Sequence, residues 1–186
     1  MKSLASLIAK FILAIYKCLK KPIPTEPAEP TSLTLPHPEQ PPEYSATIEN
    51  TDIHAVIAEW FEEYDVPLEY QSYWINDCNI KVSLAYKYPA ATIAQTKTVY
   101  VRPEWCNPGV IAHEVCHIIW QSLTEEERID FENKMYDERQ KNKLLALAWE
   151  TKPYMQTNVI EAHAEIYRYL GQYMPESLKK YYPKVF

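Results

Sequence analysis

His113, Glu114 and His117 are the residues of this chain best suited to chemistry. They form a His-Glu-x-x-His run, His113-Glu114-Val115-Cys116-His117, with Val110-Ile111-Ala112 before it and Ile118-Ile119-Trp120 after it. On a helix, positions four apart share a face, so both imidazoles can address one metal ion. Glu114 falls one step round, close enough to hold a water molecule beside the metal and take its proton. That arrangement suits zinc-assisted peptide hydrolysis. The chain has only five histidines, and two of them take this spacing with a glutamate between them.

Catalytic zinc generally takes three protein ligands and keeps one position open for water. The third ligand must therefore come from another element. Residues 159–169 contain Glu161, His163 and Glu165. Glu161 and Glu165 are four apart and share a helical face, whereas His163 points roughly the opposite way. Ala162 and Ala164 beside them leave room for close approach of the motif helix. One carboxylate can ligate the metal while the other receives the free N–H of a ligating histidine.

These blocks resemble the C-terminal catalytic domain of anthrax toxin lethal factor and the related Pro-Pro endopeptidases. The shared pattern is Tyr-x-x-Thr-Asn-x-x-Glu, here Tyr154-Met155-Gln156-Thr157-Asn158-Val159-Ile160-Glu161, followed by Ala164-Glu165 and Tyr167-Arg168. Residues 178–184 are similar to the family's closing segment. The resemblance covers residues 99–186 in two separated blocks. Such enzymes are gluzincins, His-Glu-x-x-His peptidases with a glutamate as third ligand. The resemblance implies that His113, His117 and Glu161 bind one zinc ion and that Glu114 is the general base. It further implies that Tyr154 donates its phenol proton toward the developing oxyanion and that Glu165 orients His113. Two positions depart from the pattern. Cys116 stands where glycine is usual, and His163 replaces an aromatic residue, which makes it a rival ligand.

Composition narrows the partners. The net charge is −6, and no basic run lies inside the presumed domain, which argues against nucleic acid. Gly109 and Gly171 are the only glycines, so a glycine-rich phosphate loop is excluded. A peptide or protein substrate is the expected partner. None of the four cysteines forms a Cys-x-x-Cys pair. Cys116 reads as a small core residue, and Cys78 and Cys106 could pair in an oxidising compartment.

At 186 residues the chain reads as one domain with appendages. Residues 1–21 read as a basic amphipathic helix, with Leu4, Leu7, Ile8, Phe11, Ile12, Ile15 and Leu19 on one side. Its uncharged runs are too short to span a bilayer, and Lys10 and Lys17 interrupt the apolar core of a secretory signal. A helix that lies on a membrane surface or docks on a partner is expected, which favours a cytoplasmic or membrane-associated protein over a secreted one. Residues 22–45 are a proline-rich linker, extended and semi-rigid.

The peptidase-like domain is expected over residues 46–186. It should begin with a helix over 52–64, capped by Thr51 or Asp52. Strands are expected over 68–75, 79–87 and 92–101. Asn107 should cap the motif helix, with Pro108 in its first turn. A long helix should start at Thr124, whose Glu127 completes a capping box, and run to 149 with room for a break. Gly171 should stop a helix over 159–171. The fold class is α+β: a small mixed or antiparallel sheet, the zincin active-site helix beside it, and a C-terminal helical subdomain. The strand near 99–101 is expected to be the edge to which substrate adds. The alternative function is a catalytically inactive zinc domain that serves as a binding or interaction module, targeted by the helix over 1–21.

Overall fold

The computed structural model describes residues 52–84 and 87–186. The amphipathic helix expected over 1–21, the linker over 22–45 and the expected start of the domain at 46 lie outside the described residues. Among those residues the elements run α1 (Ile53–Glu63), α2 (Leu68–Asn76), β1 (Asn79–Val82), β2 (Ala90–Ile93), β3 (Thr98–Val101), α3 (Pro108–Ser122), α4 (Glu125–Lys141), α5 (Lys143–Thr151), α6 (Val159–Leu170) and α7 (Glu176–Lys179). The class is α+β, mostly helical, with one small mixed sheet. No described helix is long and apolar enough to cross a membrane.

Helix starts follow their side-chain acceptors. Asp52 accepts from the amides of His54 and Ala55 at 3.0 and 3.2 Å. Asn107 accepts from Val110 at 3.1 Å, with Pro108 in the first turn where its missing N–H costs nothing. Thr124 and Glu127 form the reciprocal capping box at the start of α4. The expected break falls at Asn142, whose side chain caps α5 through the amides of Leu144 and Leu145. Gly171 ends α6 with φ of 47°, and a Cβ there would sit 3.3 Å from the Tyr64 ring. Glycine avoids both the strain and the crowding.

Two strand expectations are overturned. Residues 68–75 form the helix α2 rather than a strand. Tyr70, Tyr73 and Trp74 recur at helical spacing and pack on the core, while Leu68 and Ile75 are 82% and 53% exposed. The aromatic content that suggested a strand serves a helical face instead, because β-propensity mostly reports burial context. Residues 92–101 are not one strand but the antiparallel pair β2 and β3, turned at Ala94–Thr96, where Lys97 takes φ of 49°.

The sheet order is β1-β3-β2, with β1 parallel and β2 antiparallel to β3. β3 is therefore the central strand, paired on both sides. The expectation that 99–101 is the open edge is wrong for that reason, and the outer strands are β1 and β2. Val99 and Val101 turn into the core.

Helix α3 is buried nearly all round, as expected for a helix that carries apolar residues on every face. Helix α6 makes the most extensive helix pairing with it, across the buried Ala162 and Ala164. β2 and β3 lie against α3 as well. Trp60, Trp74, Phe131, Tyr167, Tyr181 and Tyr182 are the largest ring systems of the core. Cys78, Cys106 and Cys116 are free thiols, so the Cys78–Cys106 pair left open by the sequence is not formed.

Candidate metal centre

α3 and α6 cross so that three ligand atoms converge. His113 Nε2 lies 3.1 Å from His117 Nε2. Glu161 Oε2 lies 3.2 Å from the first nitrogen and 3.7 Å from the second. Tetrahedral ligands about 2.0–2.1 Å from a zinc ion stand roughly 3.3 Å apart, so the three edges of this triangle have the size the ion requires. Glu161 Oε2 is buried and has no hydrogen-bond donor aligned on it, although it is within ion-pair reach of His113. A buried carboxylate oxygen in that state can accept a cation. The donor set fits a divalent transition metal held by two imidazoles and one carboxylate.

Local structure explains each placement. His113 and His117 are one helical turn apart on α3, and their rings meet at 85° with centroids 4.8 Å apart. Glu161 sits in the first turn of α6, where Asn158 Oδ1 accepts from the amides of Ile160 and Glu161 at 2.9 and 3.0 Å. The same cap that starts the helix therefore fixes the backbone of Glu161. The His117 and Glu161 side chains keep 20% and 17% exposure, so the cluster reaches solvent on one side.

Glu165, one turn beyond Glu161, is buried behind His113. His113 Nδ1 donates to Glu165 Oε1 at 2.6 Å, and Arg168 Nη1 donates to the same oxygen at 3.1 Å. This bond places the proton on Nδ1 and leaves Nε2 to face the cluster. Burial by itself would depress the basicity of His113, but the adjacent carboxylates of Glu161 and Glu165 prevail and raise its pKa to about 9. Burial and the neighbouring His113 lower His117. Burial works to raise Glu161, and its His113 contact outweighs this and holds it below the usual carboxylate value. Two carboxylates thus bracket an imidazole in a poorly solvated place, and the whole favours positive charge.

Glu114 is buried on the β2 side of α3. Thr92 Oγ1 donates to Glu114 Oε2 at 2.5 Å and lies 3.1 Å from the Glu114 carbonyl oxygen. Tyr154 stands in the turn Pro153–Gln156 just before α6, 43% exposed, with its ring centroid 6.0 Å from that of His113. The structure therefore gathers His113, His117, Glu161, Glu165 and Tyr154, with Glu114 alongside on α3.

His163 is excluded as a rival ligand. Its ring stacks on Tyr182 at 4.1 Å, among Trp120 and Phe131, and Nε2 donates to the Tyr181 carbonyl at 3.0 Å. Complete burial drives its pKa down to about 3, so it is a neutral core histidine. Tyr182 returns a bond to the His163 carbonyl at 2.8 Å, which ties the C-terminal segment to α6. Cys116 is likewise fully buried, and burial together with Glu165 pushes its thiol well up. It is inert packing.

The sequence marks no role for Thr92 or Arg168. A threonine in a short strand has no chemical signature, and its partner becomes visible only when β2 is laid against α3. Arg168 lies three residues beyond Glu165, a spacing that allows a pair but does not announce one.

Compared with known proteins, the chain matches no protein-family model, no curated protein and no solved structure.

Proposed function

We propose that this protein is a zinc-dependent endopeptidase of the gluzincin type, similar in site to the lethal factor and Pro-Pro endopeptidase catalytic domains. The observation that carries the reading is the triangle of His113 Nε2, His117 Nε2 and Glu161 Oε2, open to solvent, with a buried carboxylate at Glu114 on the same helix. A zinc ion held by these three atoms supplies Lewis acidity that brings the pKa of a water from about 15.7 to near 7.

The chain's own groups do the rest. Glu114 takes the proton of the attacking water as the C–O bond forms. It then passes that proton to the leaving nitrogen as the C–N bond breaks, so the base is restored. Tyr154, partly exposed with its ring near that of His113, offers its phenol proton to the oxyanion that develops on the former carbonyl. A donor of this kind is worth about 3 kcal/mol in the transition state. Glu165, itself held by Arg168, keeps the His113 ring aimed at the cluster. Substrate is an extended peptide segment that pairs with an outer strand, which is β2 because β2 lies against α3.

Glu114 with its threonine partner and Tyr154 at the mouth favour catalysis over an inactive binding module. The test is a peptide library analysed by mass spectrometry, with zinc-loaded wild type beside Glu114→Gln. Wild type is expected to cut and the variant to lose at least about a thousandfold while keeping its zinc. Equal cleavage by both proteins would remove Glu114 as the base.

A further inference from the structure

The presumed base and the open sheet edge meet at one residue. Thr92 Oγ1 lies closer to Glu114 Oε2, at 2.5 Å, than to the Glu114 carbonyl, at 3.1 Å. A hydroxyl has a single proton, and the short contact to an anionic acceptor takes it. The backbone of the same residue faces elsewhere. Arg102 N donates to Pro89 O at 2.9 Å, which makes 89 and 102 a hydrogen-bonded pair of the antiparallel ladder. Alternation then puts Ala91 and Ile93 in such pairs with Tyr100 and Thr98. It turns the N–H and C=O of Ala90 and Thr92 away from β3. Among the described residues, β2 has no second strand partner, and no backbone–backbone bond outside the helices and strands uses these groups of Thr92.

We propose that Thr92 is a positioning residue that couples docking of a peptide on the β2 edge to the aim of Glu114. The inference rests on the peptidase reading and supplies the link between its two halves. The β-branched side chain of Thr92 has few choices at χ1, so its hydroxyl proton points one way. It holds Oε2 of Glu114 before a peptide arrives and leaves the second carboxylate oxygen for the attacking water. A peptide that pairs with Thr92 N–H and C=O keeps the φ and ψ of that residue, and with them the aim of the base, while it is bound.

The experiment compares wild type, Thr92→Val and Thr92→Ser as zinc-loaded enzymes on an extended peptide, together with crystal structures of all three proteins in the metal-free state. Thr92→Val is expected to lose roughly 10- to 100-fold in kcat with KM within about twofold, because one charge-assisted bond is lost and the backbone edge is kept. Thr92→Ser, which keeps the donor, is expected to retain most of the activity. In the crystals, the Glu114 carboxylate should lose its single orientation in Thr92→Val and keep it in Thr92→Ser. Wild-type kcat in Thr92→Val, or an unmoved Glu114, overturns the proposal. Melting temperature and zinc content are measured alongside, and Thr92→Ala takes the place of Thr92→Val should the latter not fold. If wild type cuts no peptide, the peptidase reading falls, and the crystal comparison alone still decides whether Thr92 positions Glu114.

Discussion

Tyr154 is the residue whose role is most exposed to test. Its ring stands 6.0 Å from that of His113 and is 43% exposed, and the proposed role is to donate to a substrate oxygen. Tyr154→Phe is expected to lower kcat by roughly 100-fold and to leave KM nearly unchanged, since the bond is strongest in the transition state. Steady-state kinetics on one peptide decides it, and an unaltered kcat leaves the tyrosine structural. At this scale the sequence was most legible where spacing alone carries geometry. His113 and His117 are four apart with Glu114 between, and Glu161 and Glu165 are four apart on a second helix. His163 was ambiguous because only tertiary contact distinguishes a ligand from a stacked core ring. Thr92 was invisible because its partner is twenty-two residues away on another element.

The elements deliver these side chains through their ends. Asn158 caps α6 on the amides of Ile160 and Glu161, so one side chain both starts the helix and seats the candidate ligand Glu161. Asn158→Ala is expected to cost about 1 kcal/mol, seen as a melting temperature lower by roughly 2–4 °C for a chain of this size. A variant as stable as wild type, by calorimetry, would show that the first turn needs no cap. Capping signals were readable because they are local: Asn107 with Pro108, Thr124 with Glu127, and Gly171 at the stop of α6 all stand where the sequence marked them. Strands were not readable in the same way. Residues 68–75 carry aromatics that fit either period, and only burial of Trp74 beside exposed Leu68 shows the helix. The hairpin in 92–101 turns on Ala94–Thr96 and a left-handed Lys97, without the Asn-Gly or Asp-Gly that would have flagged it.

At the scale of the molecule, the α+β class followed from the alternation of periods along the chain, but strand order did not. Nothing local tells that β3 sits between β1 and β2, so the open edge moved from 99–101 to the outer strands. What the assembled fold adds is convergence. Two histidines from α3 and a carboxylate from α6 meet within 3.7 Å although 44 to 48 residues separate them. That meeting is the claim on which hydrolysis, base and substrate edge all depend. Elemental analysis of purified protein dialysed against a weak chelator, for wild type, Glu161→Ala and His163→Ala, tests it most directly. The expected result is one equivalent of zinc in wild type and in folded His163→Ala, and none in Glu161→Ala. A wild type that retains no metal, or a Glu161→Ala protein that binds it as tightly, contradicts the site.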